Sequence, residues 1–386
     1  MKQSRIGAIV LVLVGIACFG NSPLAYSGVT PRSADLNMGA GEFPTDKSEA
    51  IPGNSYELRQ LVPGVYAAVR QVSAGSADGN TMFIINDSDV IVVDAGGYRA
   101  DARQMIGEIR KLTDKPVRYV INTHSHGDHI AGNEIYLAAF PGVEFISHPE
   151  TRNLMTHNPG VEETVKLFRV EIANVQKRLD SGKDSGGVEL TAERRAHLKL
   201  AKSNYEFWIS DMKGSHQILP ALTVADSLVL HRGERTIEVK YLGNGHTTGD
   251  LIVYLPKERI VATGDLVISP IPYGFSQNLR EWPAALKGLR GLDAATIVPG
   301  HGEIQTDWEY VDRQTALFES TWKQVKKAVD GGADLEATRK AVDGEALSKA
   351  FGITSREMRD EFDYEFLDPA IEAAFKVLRP GPAVPQ

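Results

Sequence analysis

Three histidines and an aspartate are packed into the run Thr-His-Ser-His-Gly-Asp-His over residues 123–129. Neutral imidazole nitrogen and carboxylate oxygen are ligands for borderline and hard divalent cations, and the order His-x-His-x-Asp-His lets one loop serve two adjacent ions. The preceding run Pro-Val-Arg-Tyr-Val-Ile-Asn over 116–122 is rich in β-branched and aromatic residues, so this loop begins where a strand ends. Metal-assisted hydrolysis is the chemistry such a loop suggests.

Further residues of ligand type recur in the same setting. His246 stands in Tyr-Leu-Gly-Asn-Gly-His-Thr-Thr-Gly-Asp over 241–250, behind an apolar strand over 236–242. Asp265 follows Arg-Ile-Val-Ala-Thr-Gly, and His301 lies in Thr-Ile-Val-Pro-Gly-His-Gly over 296–302. Each comes after a short β-branched run and beside a glycine, where the backbone can turn sharply and present a side chain.

At these residues, and at the strand-end aspartate of Val-Ile-Val-Val-Asp-Ala-Gly-Gly over 90–97, the chain resembles the metallo-β-lactamase superfamily over roughly 65–302. The resemblance implies that His124, His126 and His246 hold one zinc ion, that Asp128, His129 and His301 hold a second, and that Asp265 bridges them. Asp94 would orient ligands through hydrogen bonds. Two cations about 3.5–4 Å apart make water a nucleophile near neutral pH and polarise the scissile carbonyl, with Asp128 as proton carrier. Other divalent metals suit the same ligands.

Position 265 discriminates within the superfamily. The resemblance to glyoxalase II and the lactonases, which carry aspartate there, implies cleavage of a carboxylic ester, lactone, thioester or amide. Enzymes that hydrolyse β-lactam antibiotics typically have cysteine at this point, or a serine that binds no metal. The alternatives are a β-lactamase, an iron enzyme of the persulfide dioxygenase kind, and a secreted metal-binding protein without activity. No Gly-x-Ser-x-Gly elbow is present, which separates the chain from serine hydrolases of the α/β type.

The elements that must position these residues are legible as periodicity. Strands are expected over 62–71, 81–85, 90–94 and 116–122, a helix over 100–112, and a second half beginning with a strand over 223–229. This order fits an α+β fold, the four-layer αββα sandwich of the superfamily, with metals at one edge. Within 150–213, Val165, Phe168, Ile172, Val175 and Leu179, then Leu198, Ala201, Tyr205 and Trp208, recur at helical steps around a glycine-rich break. That is a helical hairpin, either a packing element or a lid. A second helical pattern, Val311, Phe318, Trp322, Val325 and Val329, then Met358, Phe362 and Phe366, ends at Pro369. The expected organisation is a catalytic domain over 56–305, a helical extension over 306–378 and an unstructured tail over 379–386.

Lys2 and Arg5, the apolar residues 6–19 and the small-x-small sequence Ala25-Tyr-Ser27 read as an export signal over 1–27, followed by a linker over 28–55. The chain is thus expected to be periplasmic or secreted. Cys18, the only cysteine, lies inside that leader, so the mature chain has no disulfide and no thiolate ligand. The formal net charge of −8 gives no footprint for nucleic acid, and a small-molecule substrate is expected, with no stable membrane span and with homo-oligomerisation left open. Ile271, Tyr273, Phe275 and Trp282, just after Asp265, are candidates for a substrate pocket or for core. His148, His157, His197, His216 and His231 are read as ordinary histidines, and Asp250 as either a ligand-orienting group or a turn residue.

Overall fold

The computed structural model describes residues 51, 56–70, 79–157, 160–183, 189–276 and 278–379. The expected export signal, Cys18, all of the expected linker except Ile51, and the tail from 380 lie outside the described residues. The first part of the chain forms β1 (Tyr56–Val62), β2 (Val65–Arg70), β3 (Thr81–Ile85), β4 (Val90–Val93), α1 (Arg99–Leu112) and β5 (Val117–Ile121). Next come α2 (Gly127–Ile130), α3 (Asn133–Ala139), β6 (Glu144–Ser147), α4 (Pro149–His157), α5 (Gly160–Ser181), α6 (Ala192–Asp211) and β7 (Leu222–Thr223). The second part contains β8 (Ser227–Arg232), β9 (Arg235–Tyr241), β10 (Leu251–Leu255), β11 (Ile260–Ile268), α7 (Trp282–Arg290) and β12 (Thr296–His301). It closes with α8 (Glu309–Asp330), α9 (Leu335–Ala341), α10 (Gly344–Phe351), α11 (Arg356–Phe362), a π-helical turn over Asp363–Leu367 and α12 (Asp368–Leu378).

Strands β1 to β7 make one sheet in chain order, antiparallel as far as β4 and parallel beyond it. Strands β8 to β12 make the other, with only β11 and β12 parallel. Ile84, Ile91 and Ile121 from the first sheet meet Val239, Leu251 and Val253 from the second. On the outer face of the first sheet, Val92 and Val120 pack under Met105 and Ile109 of α1 and Tyr136 of α3. On the second, Ile252 and Val261 pack under Leu286 of α7 and Phe318 of α8. The result is the expected αββα sandwich. Strands covered on both faces, such as β4 (Val-Ile-Val-Val) and β10 (Leu-Ile-Val-Tyr-Leu), read as continuous apolar runs for that reason.

Two local expectations are corrected. The sequence suggested one strand from 62, but β1 and β2 form a hairpin whose turn carries Gly64 at φ 81°, a left-handed conformation that glycine adopts without steric cost. Pro369 does not end the second helical pattern. The chain stays helical from Arg356 to Leu378 through the π-helical turn just before Pro369, and Glu365 O, the carbonyl an N–H at 369 would have reached, instead accepts the Gly274 N–H at 2.8 Å.

Helices α5 and α6 form the expected hairpin, and it is packed down. Phe168, Ala201, Tyr205 and Trp208 are buried against Tyr98 and Ala100 at the start of α1. Trp208 Nε1 donates to Gly97 O at 3.2 Å, and Asp211 Oδ2 accepts the Ala100 N–H at 3.1 Å, filling an orphan donor of the first turn of α1. No helix among the described residues is long and apolar enough to cross a membrane.

Candidate metal centre

The residues of ligand type converge because the strands that carry them end on one edge of the sandwich. Asp94 follows β4, the run from His124 to His129 follows β5, His246 follows β9, Asp265 lies in β11, and His301 ends β12. Asn80 fastens the two sheets beside this edge. Its side-chain amide donates to Pro299 O at 3.0 Å and Gly302 O at 2.9 Å, and its Oδ1 accepts the Arg70 N–H at 2.8 Å. Gly300 is required by close approach: a Cβ there would stand 2.0 Å from Asp265 Oδ1.

Two groups result, His124, His126, His246 and Asp265 in one and Asp128, His129, Asp265 and His301 in the other, with the ligand-type atoms of each within 4.8 Å of one another. Asp265 divides its oxygens between them. Oδ2 lies 3.3 Å from His246 Nε2 and 3.6 Å from His124 Nε2, while Oδ1 lies 3.2 Å from His129 Nε2 and 3.5 Å from His301 Nε2. His126 Nδ1 and His246 Nε2 face each other at 2.9 Å, and His129 Nε2 and His301 Nε2 at 3.4 Å. Two neutral imidazoles whose lone pairs face one point need a proton or a cation between them. His124 Nε2 and Asp265 Oδ1 are buried with no hydrogen-bond partner among the described residues. This donor set fits a pair of divalent cations.

Asp94 organises the histidines from behind. Its Oδ1 accepts the Thr123 N–H at 2.8 Å, and its Oδ2 accepts both the Thr123 hydroxyl and the His129 Nδ1–H at 2.8 Å. Thr123 Oγ1 in turn lies 3.1 Å from His124 Nδ1, so one carboxylate turns the Nε2 atoms of two histidines into the centre. Its backbone sits at φ 61°, a left-handed position that a non-glycine residue holds at a cost of about 1–3 kcal/mol and that clusters at functional sites.

The two groups differ in charge. Burial, reinforced by neighbouring histidines and opposed by Asp265, pushes His246 down to about 3, and burial likewise holds His124 well below and His126 below the usual imidazole range. Those rings are neutral, as a ligand must be. Burial also works against charge on His301, but Asp265 and Asp128 outweigh it and lift it to about 9; the same carboxylates, with Asp94, hold His129 well above its ordinary value. Asp128 and Asp265 stay ionised despite burial because these histidines face them. Without metal, protons on the second group therefore balance the carboxylates.

The pocket candidates separate. Tyr273 faces the centre, its ring 5.6 Å from His301 and 6.4 Å from His246. Phe275 is 46% exposed, at the rim. Ile271 and Trp282 are built into the core under α8. Trp282 backs His246 at 5.4 Å while packing at a tilt on Phe318 and donating Nε1–H to Leu266 O at 3.1 Å. Asp250 serves the turn, accepting from the Thr247 N–H at 2.8 Å and the Thr247 hydroxyl at 2.7 Å. His148 stacks on Tyr241 at 4.3 Å, and His157, His197, His216 and His231 also belong to neither group. Sequence reasoning missed Asn80 and Glu365. Glu365 is buried beside the centre, and burial and then Glu361 push its carboxyl up to about 8 against the pull of His301. Nothing local in the sequence marks either residue.

Comparison with known proteins points to one family. The family model described as "Metallo-beta-lactamase superfamily" matches residues 75–301. The linear primary-alkylsulfatase of Pseudomonas sp. (strain ATCC 19151) is 24% identical over 247 residues, 58% of this chain and 41% of its own, so the chain spans less than half of that relative. The 2,4-dinitroanisole O-demethylase subunit alpha of Nocardioides sp. (strain JS1661) is 25% identical over 329 residues, 82% of this chain and 80% of its own. Metallo-beta-lactamase IND-1 of Chryseobacterium indologenes is 32% identical over 230 residues, 58% of this chain and 72% of its own.

Proposed function

The chain belongs to the metallo-beta-lactamase superfamily, and we propose that it is an exported metal-dependent hydrolase holding two zinc ions that cleaves a carboxylic ester, lactone, thioester or amide. The observation that carries this reading is the division of Asp265, one oxygen toward each group of histidines. His124, His126 and His246 would hold one ion, Asp128, His129 and His301 the other, and Asp265 both. When bound, such a pair makes water a nucleophile at neutral pH and polarises the bond under attack. The chain's own residues do the rest. Asp94 fixes ring orientation directly at His129 and through Thr123 at His124. Asp128 is the most solvent-accessible carboxylate of the groups, its side chain 12% exposed against 1% for Asp265, and is placed to carry a proton to or from water. Tyr273 keeps its phenolic proton, because burial and the surrounding carboxylates hold it well above the usual range, and can donate to a substrate oxygen.

The likeness to an alkylsulfatase favours a second reading, in which the bond is that of a sulfate ester. Elemental analysis of the purified full chain, together with turnover of a panel of esters, lactones, thioesters, alkyl sulfates, nitroaryl methyl ethers and β-lactams, tests both. Two zinc ions per chain and turnover of the carboxylic compounds support the first, turnover of alkyl sulfates alone supports the second, and a single iron overturns both.

A further inference from the structure

The helices that follow the sandwich reach into the centre at one point. Between α11 and α12 the chain makes the π-helical turn Asp363–Leu367, a form in which one extra residue is accommodated and which recurs at functional sites. Phe362 and Phe366 anchor it in the core, Phe366 stacking on Phe318 at 5.5 Å. The loop after β11 docks on the same turn, with Gly274 N–H donating to Glu365 O at 2.8 Å. The approach is so close that a Cβ on Gly274 would stand 2.0 Å from Phe366 O. This fixes Tyr273, the neighbour of Gly274, over His301 and His246.

The same turn buries Glu365, 4% exposed, close enough for its charge to be felt at both His301 and Tyr273. Among the described residues no donor reaches Glu365 Oε2. Other buried acids face a cation even where an oxygen lacks a hydrogen bond, Asp101 with Arg70 at 2.8 Å, Asp89 with Arg232 at 2.7 Å and Glu258 with Arg235 at 2.7 Å, whereas among the described residues no cation pairs with Glu365. A buried carboxyl without a partner destabilises the fold, and an apolar side chain of similar size would serve packing better. Retention of such a group beside a reactive centre is the pattern of a residue kept for function at the expense of stability.

We propose that Glu365 contacts the substrate, and that it selects molecules carrying a hydroxyl, amide or ammonium donor next to the bond being cleaved. The C-terminal helices are then part of the active site. This rests on the hydrolase reading above. The test uses the full chain with Glu365→Leu and Glu365→Gln, following melting temperature, zinc content, and kcat/KM on the best substrate of the panel and on its analogue lacking the donor. Glu365→Leu should melt several degrees higher and bind zinc as before. It should lose about 3- to 10-fold in kcat/KM on the donor-bearing substrate, as expected for a hydrogen bond to a neutral carboxyl, and much less on the analogue. Glu365→Gln, which keeps the shape and an acceptor, should lie between. A lower melting temperature in both variants, or equal kcat/KM changes on the two substrates, overturns the inference. Absence of zinc and of turnover in the unmodified protein would instead defeat the hydrolase reading, while the direction of the melting shift still judges Glu365.

Discussion

Substituting Asp94 by asparagine changes one oxygen to an amide nitrogen and leaves the shape intact, and asparagine tolerates the left-handed backbone at this position. Both oxygens are committed as acceptors, Oδ1 to the Thr123 N–H and Oδ2 to the Thr123 hydroxyl and the His129 Nδ1–H. Whichever way the amide turns, its NH2 group faces a donor. If it faces His129, the ring must move its proton to Nε2, the atom directed at Asp265 and His301, and a protonated nitrogen cannot bind a cation. If it faces the Thr123 backbone, a buried N–H is orphaned at the mouth of the ligand loop. Loss of a hydrogen bond to a charged acceptor costs about 1.5–3 kcal/mol. At about 1.4 kcal/mol per factor of ten, this corresponds to roughly 10- to 100-fold in metal affinity, the usual effect of removing a partner behind a ligand histidine. Chelator competition on Asp94→Asn should therefore show weaker binding of one ion at least, with the second group more affected because its histidine is held directly. Unchanged affinity for both ions and unchanged turnover would refute the role given to Asp94.

Asp265→Ala should lower zinc occupancy at one or both positions and reduce turnover by several orders of magnitude, whereas His231→Ala should do neither; similar zinc content and rates in the two variants would count against the bridge. Zinc uptake by the metal-free protein should depend on pH in one group only: His246, pushed down to about 3, has no proton to lose near neutrality, while His301, lifted to about 9, and His129, held well above its ordinary value, must each release one, so chelator competition between pH 6 and 9 should show the ion of the second group gaining at least about tenfold per unit. By the same linkage His301, raised above its unfolded value near 6.5, stabilises the metal-free fold fully below about 6.5 and loses that contribution as pH rises through about 9, which thermal melts will register. Asn80→Ala removes two hydrogen bonds at the strand end that carries His301 and one to the backbone of Arg70 in β2, and should cost about 3 kcal/mol in denaturant titration and weaken the second ion. Trp208→Ala should cost about 3–5 kcal/mol, because the hairpin is packed on the start of α1; a loss below about 1 kcal/mol would indicate a mobile cover instead.

The sequence alone determined the ligand types and their chain positions, the strands that precede them, and the helices over α1, α5, α6 and α8. These are local properties: hydrophobic period, β-branched runs, and the short spacing of His124, His126, Asp128 and His129 within one loop. The resemblance then ordered the remote residues His246, Asp265 and His301. Only the tertiary structure decided which oxygen of Asp265 faces which histidines, since that depends on the packing of β11 against two loops from opposite sheets. It also decided that Ile271 and Trp282 belong to the core while Tyr273 faces the centre, because residues close along one loop are sorted by what α8 covers. Pro369 reads as a stop in one dimension, yet the helix runs through it, since only the structure shows that a π turn precedes it and that Gly274 supplies the N–H its i−4 carbonyl lacks. Asn80 and Glu365 had no local signal at all: the carbonyls that Asn80 bonds at Pro299 and Gly302 lie more than 200 residues away, the loop that docks on Glu365 about 90 residues before it, and a buried carboxyl without a donor is visible only once the chain has closed around it.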